Sequence, residues 1–341
     1  MGARHGAASL DLPRVAPGRA RGARPRLPGL RGDVPPFDIA QPIWAETREA
    51  RCNFEVIERA DGHYTRDRRD GSLKRLADNL ALMHDTVDWP RTVFTPADAA
   101  ARVEIKRAEE LLASGVYDYL AAYVRAYGAE RFVTWTVVGG FFVTSYYVGL
   151  AGHFLLHDEP ALMHCLIDRL TQKTLEEIRA AALAGCDAIC IDESTATSDA
   201  ISPAMYGEFC APYVRRLVEG IHAHGKKAIV MYWGGVADRI EQIVSLGADA
   251  LIMETSMKGY KNDLAAIAAQ VDGRMLLFGN LDPVGVLQDG TDAELEATLA
   301  AQIEVGRRYG RFVVSTGSPV TPETTPERIR KYIELAQRLG A

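Results

Sequence analysis

Polar and acidic residues gather at the ends of apolar runs in this chain. Asp192-Glu193-Ser194 closes the run Ala188–Asp192, Tyr232-Trp233-Gly234-Gly235 follows Lys227–Met231, and Glu254-Thr255-Ser256 ends Ala250–Glu254. Later, Gly279-Asn280-Leu281-Asp282 follows Met275–Gly279, and Ser315-Thr316-Gly317-Ser318-Pro319 ends Phe312–Ser315. Carboxylates, hydroxyls and an amide brought to one place suit general acid–base work, or the binding of a hard metal ion by carboxylate oxygens. Part of the same set suits helix capping instead. Ser202 before Pro203, Thr325 before Pro326 and Asp282 before Pro283 have the residue types of N-caps.

The elements that must position these residues have a regular pattern. Apolar runs at Phe132–Val138, Ala188–Asp192, Lys227–Met231, Ala250–Glu254, Met275–Gly279 and Phe312–Ser315 alternate with helical runs. The helical runs are Pro160–Leu183, Pro203–His222, Val236–Leu246, Lys261–Gln270, Asp292–Arg308 and Pro326–Leu339. Continuous apolar strands between amphipathic helices predict parallel strands covered on the outside. Six such units predict most of an α/β (β/α)8 TIM barrel with an irregular or incomplete N-terminal part, whose two remaining strands come from residues 37–95. In a barrel the carboxyl ends of the strands line the site, which puts the polar groups above around one mouth. An open doubly wound sheet is the alternative, although no Gly-x-Gly-x-x-Gly follows any of these strands.

The N-terminal region reads differently. Residues 1–36 mix arginines with prolines and glycines, and Pro13, Pro17, Pro25 and Pro28 would break an amphipathic transit helix. They are expected to be a disordered tail ahead of one domain over 37–341. Asn53–Ile57 and His63–Arg66 predict a charged hairpin around Ala60-Asp61-Gly62, with a second turn at Asp70-Gly71. Ala97–Tyr127 has helical spacing with a break near Ser114-Gly115.

A net charge of -6 and a pI of about 5.8 argue against a nucleic-acid binder. No apolar stretch approaches the roughly 20 residues of a membrane helix. The five cysteines are scattered, which points to a reducing, cytoplasmic compartment. Cys186 and Cys190 tempt a metal reading, but buried strand cysteines explain them better. His153 and His157 share a helical face and fit a partly exposed helix better than a metal pair. His222 and His224 fall at the amino end of a strand, the stability face.

Several stretches resemble the uroporphyrinogen decarboxylase superfamily. Ala184–Glu193 looks like its acid-ending strand, and Ile201-Ser-Pro-Ala-Met-Tyr-Gly-Glu-Phe-Cys-Ala-Pro212 is similar to its next helix. Phe278-Gly-Asn-Leu-Asp-Pro283 with Gly290-Thr291, and Ser315–Pro326, resemble its closing motifs. Gly139–Tyr147 resembles its Gly-x-Pro-x-Thr-Leu-x-x-Tyr stretch, with Tyr146 on the family's site tyrosine. The resemblance implies a (β/α)8 barrel, and a homodimer. Where the family's zinc methyltransferases carry His-x-Cys and a later Cys, this chain has Tyr232, Gly234 and Ser318, so the zinc site is altered. Where the decarboxylases carry paired arginines for substrate carboxylates, this chain has only Pro42-Ile-Trp44, Arg48 and Arg51, and Ser318 replaces the closing-loop histidine.

The leading expectation is methyl transfer from a small methoxylated or methylated substrate to a corrinoid protein or folate. On that reading Glu193, Tyr146 and Tyr232 are catalytic candidates. Asp192, Trp233, Glu254, Asn280 and Ser318 contact substrate, and Glu193 with Glu254 are the candidate ligands of a divalent metal. Any corrinoid would ride on a partner protein. Decarboxylation of uroporphyrinogen or another carboxylated substrate is the second expectation. It gains if Arg48, Arg51 or Arg66–Arg69 fold over the mouth. A non-catalytic corrinoid- or ligand-binding partner is the third.

Overall fold

A computed structural model describes residues 39–40, 47–75, 95–149 and 152–340. The tail 1–36, the Pro42–Trp44 motif and the side chain of Arg51 lie outside the described residues. The N-terminal part begins with strand β1 (Ile39–Ala40), helix α1 (Arg48–Asn53) and strands β2 (Phe54–Arg59), β3 (Gly62–Asp67) and β4 (Leu73–Arg75). Strands β2, β3 and β4 pair antiparallel in a sheet of their own. This is the expected charged hairpin with a third strand added. Its cross-strand pairs include Glu55 opposite Arg66, an ion pair of the kind that stabilises a two-sided polar sheet modestly. Helices α2 (Pro96–Arg102), α3 (Ala108–Ser114) and α4 (Asp118–Tyr127) come after it. Gly115 at φ 86° ends α3, at the break the sequence marked.

The chain then alternates as expected. Strand β5 (Phe132–Val138) leads to helices α5 (Gly140–Val148), α6 (Gly152–Asp158) and α7 (Pro160–Ala184), and strand β6 (Ala188–Asp192) leads to α8 (Pro203–Phe209) and α9 (Ala211–Ala223). Strand β7 (Lys227–Tyr232), α10 (Ile240–Val244), β8 (Ala250–Met253), α11 (Leu264–Val271) and β9 (Leu276–Phe278) come next. A π-helical turn (Pro283–Gln288), α12 (Asp292–Tyr309), β10 (Phe312–Val313) and α13 (Pro326–Gly340) complete the chain. The single helix expected over Pro203–His222 is two helices. Pro212 has no N–H to continue the ladder, and the break falls at Cys210 just before it. Ser202, Asp282 and Thr325 accept the helix N-terminal amides of Met205, Val284 and Arg328 at 3.2, 2.9 and 3.2 Å.

The parallel sheet runs β1-β5-β6-β7-β8-β9-β10. Of the two strands expected from residues 37–95, one, β1, joins this sheet among the described residues, pairing Ile39 with Phe132 and Ala40 with Val133. Residues 54–75 instead spend their backbone groups on the separate antiparallel sheet. The parallel sheet is apolar on both faces. Phe132, Ala188, Cys190, Ile229, Met231, Ala250, Leu276 and Phe278 meet in an inner core. Their neighbours Val133, Ile189, Ile191, Val230, Leu251 and Met253 pack outward with the helices. This curled sheet with helices on its outer face is the (β/α)8-type α/β architecture, and it fixes which strand-end residues turn inward.

Candidate active site at the carboxyl ends of the strands

Strand parity sorts the strand-end residues. On β6, Ala188 and Cys190 face the inner core, so Asp192 turns inward and Glu193 turns toward the helices. Asp192 Oδ1 accepts the N–H of Ser194 at 3.0 Å and also the Ser194 hydroxyl. Burial raises the Asp192 carboxyl above its ordinary value, opposed by those two bonds. Glu193 is 1% exposed. Its carboxylate caps α5, accepting the N–H groups of Phe142 at 2.9 Å and Phe141 at 3.3 Å. A Cβ on Gly139 would lie 1.9 Å from Glu193 Oε1, so the cap requires glycine there. Burial pushes Glu193 up to about 8, with the two amides lowering it and Asp192 raising it further.

Tyr232 follows the same rule. Ile229 and Met231 of β7 face inward, and Tyr232 points outward, fully buried. Its hydroxyl lies 2.7 Å from that of Tyr206, whose ring meets it edge-on. Burial raises both phenols far above their ordinary value. Arg239 stacks over Tyr206 at 5.3 Å and donates to the carbonyls of Ala196 at 3.2 Å and Ile201 at 2.7 Å, with Asp238 as its counter-charge at 2.9 Å. The sequence put Tyr232 against substrate; the geometry puts it behind the wall, because the turn inward comes one residue later, at Trp233. Tyr232→Phe is therefore expected to cost about 1 kcal/mol of stability in urea melts without changing ligand affinity. Lost affinity with unchanged stability would return Tyr232 to the mouth.

Glu254, one residue past β8, turns inward and is 8% exposed. Its Oε1 accepts the N–H of Thr255 at 3.0 Å and the hydroxyl of Ser318. Burial raises this carboxyl, and the nearby charges of Asp282 and Asp199 add to the rise. Asn280 sits beneath, donating to the carbonyls of Asn262 at 2.7 Å and Glu254 at 3.4 Å. Sequence reasoning passed over Asn262, which is 1% exposed. Its Oδ1 accepts the Val236 N–H at 3.0 Å, and its Nδ2 donates to the carbonyls of Gly234 at 2.9 Å and Glu254 at 3.0 Å. One amide thus staples the Gly234–Val236 turn to the end of β8. Asp199 was missed too. Its Oδ1 accepts the Gly235 N–H at 3.2 Å. Neither residue carries a periodic signal, and a turn asparagine or aspartate in a loop has no mark that separates a staple from a surface residue. Tyr260 stands against Gly235, and burial with the charges of Glu254 and Asp199 raises its phenol to about 12.

Asp192, Trp233, Glu254 and Ser318 therefore share the mouth, with Asn280 at its floor. Glu193 and Tyr232 lie on the opposite face of the sheet. Tyr146 is half-exposed on α5, edge-on to Phe142 at 5.7 Å. Glu193 and Glu254 face opposite ways and cannot share an ion, and among the described residues no three His, Cys, Asp or Glu side chains are grouped to hold one. A zinc site of the His-x-Cys…Cys type does not fit either. Tyr232 faces away, Ser318 bonds Glu254, and a side chain on Gly234 would meet Thr197 and Asp199 at 2.5 Å. Cys186 belongs to the helix-side core and Cys190 to the inner core, so they do not form a pair. Four arginines of the hairpin region are paired with acids. Arg48 bonds Asp118, Arg66 and Arg68 pair with Glu55, and Arg69 with Asp67. His222 pairs with Asp249, the residue just ahead of β8, at 2.8 Å. That is the amino-end face, where the sequence placed it.

A parallel α/β barrel with carboxylates, hydroxyls and an aromatic ring at its carboxyl ends defines a (β/α)8-type enzyme fold. The chain belongs to the uroporphyrinogen decarboxylase family, whose model matches residues 85–339. It is an enzyme superfamily with decarboxylase and methyltransferase members. A uroporphyrinogen decarboxylase of Pseudomonas fluorescens is 30% identical over 196 residues, which is 55% of this chain and 51% of that protein. One of Tolumonas auensis is 28% identical over 193 residues, with the same shares. The chain thus spans about half the length of the curated relatives it matches. A methyltransferase from Methanosarcina mazei has the same fold at a TM-score of 0.62 and 14% identity, covering 89% of this chain and 81% of that one. Among the described residues no helix is long and apolar enough to cross a membrane.

Proposed function

We propose that the chain transfers a methyl group from a small methylated or methoxylated substrate to a nucleophilic acceptor, a corrinoid protein or a folate. The observation that carries this reading is the charge of the mouth. Asp192, Asp199, Glu254 and Asp282 stand at or just beyond the strand ends, where a substrate with several carboxylates needs cations. In the hairpin, Arg66 and Arg68 pair with Glu55, and Arg69 with Asp67. Decarboxylation of a carboxylated substrate is the second reading, favoured by the names of the Pseudomonas and Tolumonas relatives.

In the leading reading Glu254 carries the proton chemistry. Ser318 and the Thr255 N–H hold one of its oxygens, and burial keeps a proton on it to higher pH than an ordinary carboxyl, as a general acid requires. It would protonate the leaving oxygen or nitrogen as the methyl departs. Trp233 and Tyr260 wall the substrate. Any corrinoid sits on a partner protein, and the enzyme works as a homodimer in the cytoplasm. The test is to mix the protein with a panel of methyl donors and a reduced corrinoid protein, then with folate, and to follow methylation spectroscopically. In parallel, CO2 release from uroporphyrinogen is measured. Methylation without CO2 release is expected. CO2 release without methylation would replace this reading by the second.

A further inference from the structure

We infer that Ser318 is set against Glu254 by a clamp with two jaws, and that Gly317 and Thr321 are its positioning residues. The clamp rests on geometry; its bearing on catalysis rests on the methyl-transfer reading, in which Glu254 carries the proton. Ser318 lies on the loop between β10 and α13, where Pro319 and Val320 stand exposed. Burial therefore does not position its hydroxyl. Local ties on both sides do.

The first jaw is Gly317. Its N–H donates to the carbonyl of Leu281 at 2.9 Å, and the Leu281 N–H donates to the carbonyl of Ser315 at 3.2 Å, so Leu281 bridges to Thr316 as a parallel strand would. Gly317 is buried, and its φ lies outside the left-handed region, so no turn requires a glycine there. Space does. A Cβ on Gly317 would overlap the Thr255 nitrogen and lie 2.9 Å from the Thr255 Cα. That nitrogen donates to Glu254 Oε1 at 3.0 Å, the oxygen that also accepts the Ser318 hydroxyl. The bare backbone of Gly317 thus brings the loop onto the peptide that holds Glu254.

The second jaw is Thr321, beyond the fixed φ of Pro319. Its hydroxyl donates to Oε1 of Gln288, the last residue of the π-helical turn, and accepts from the Thr324 hydroxyl at 2.9 Å. Gln288 is oriented in turn: its Nε2 donates to Asp289 Oδ1 at 2.9 Å. The π-helical turn is itself fastened by Arg328, which donates to the carbonyls of Val286 at 3.1 Å and Gly290 at 2.6 Å from a side chain 13% exposed. A hydrogen bond to the charged form of a carboxyl favours that form. The Ser318 hydroxyl therefore opposes burial at Glu254 and makes it a readier proton donor than burial alone would leave it. Ser318 does so only while both jaws hold.

Carbon-13 NMR of the full chain, labelled at its glutamate carboxyls, tests this without a substrate, and Glu254→Gln assigns the signal. Ser318→Ala is expected to move the Glu254 titration to higher pH, because the charged form loses a donor. Thr321→Val and Gly317→Ala are expected to reproduce most of that shift, and Thr321→Ser, which keeps the hydroxyl, to leave the titration at its wild-type position. In the Ser318→Ala background Thr321→Val is expected to add nothing. Asp199, Asp282 and Tyr260 face Glu254 from the loops after β6, β9 and β8, and none of them is changed. Should Gly317→Ala fail to fold, the two Thr321 variants carry the test. A Glu254 titration unmoved by Thr321→Val, a shift that persists in full on top of Ser318→Ala, or lost urea stability without a shift would overturn the inference. Methyl transfer with an unmoved titration would overturn the clamp and leave the reading of function standing. The shift with no transfer to any acceptor would keep the clamp and remove that reading.

Discussion

Replacing Asn262 by leucine is expected to lower the stability of the chain by roughly 3–5 kcal/mol, as measured by urea denaturation. The two side chains have the same branched shape and leucine is the larger, so the cost is not a cavity. It is the loss of three hydrogen bonds in a dry place: the Val236 N–H loses its acceptor, and the carbonyls of Gly234 and Glu254 lose a donor. Each buried polar group left unpaired costs about 1–3 kcal/mol. The Glu254 carbonyl keeps the longer bond from Asn280, which is why the total falls short of three full penalties. Because the staple joins the Gly234–Val236 turn to the end of β8, the variant should also loosen both sides of the mouth. Hydrogen exchange at Gly235 and Val236 should rise well before global unfolding. A loss below about 1 kcal/mol would mean that the staple is replaced by solvent and that these amides are not dry.

The second large effect is a pH dependence centred on Glu193. Its folded value, about 8, stands above the ordinary 4.5. The folded state therefore holds this proton more tightly than the unfolded chain does. By linkage, the group costs nothing below about pH 4.5, and its penalty grows as the pH rises toward 8. Wild type should lose stability relative to Glu193→Gln across that window, and the difference should level off above it, after a total of a few kcal/mol. The glutamine variant has its own fixed cost, since a carboxamide has one acceptor oxygen for two cap amides. That cost is independent of pH, so the slope of the difference and not its absolute value is the quantity to read. Denaturation midpoints of both proteins from pH 4 to pH 9 give it. A difference flat over this range would mean that the two amides and the end of α5 offset burial completely.

Much of this architecture was legible in the residues. Apolar runs and amphipathic helices of ordinary length placed six strands and most helices, and the cap residues Ser202, Asp282 and Thr325 stand where their types suggested. The failures have one main physical source. A strand buried on both faces is apolar at every position, so it carries no alternation to say which way its last residue turns. Glu193 and Tyr232 were therefore grouped with Asp192 and Glu254, although each faces the helix layer. A second source is the loops. Asn262 and Asp199 act through backbone groups of a distant turn, and no spacing in the chain announces such a partner. The antiparallel sheet over residues 54–75 had a visible turn, yet its independence from the barrel is a tertiary fact.

Arg239 has a bearing on how this mouth could change over time. Its guanidinium grips the carbonyls of Ala196 and Ile201, the two ends of a short loop, through backbone and not side-chain oxygens. A grip on backbone is indifferent to spelling. Thr197 is buried and Asp199 holds the Gly235 N–H, but Ser198 and Ala200 are exposed, and each can be exchanged while the loop keeps its course. The loop is in effect a replaceable cassette on a permanent mount: a lineage can rewrite the residues presented to a new ligand without renegotiating the barrel that presents them.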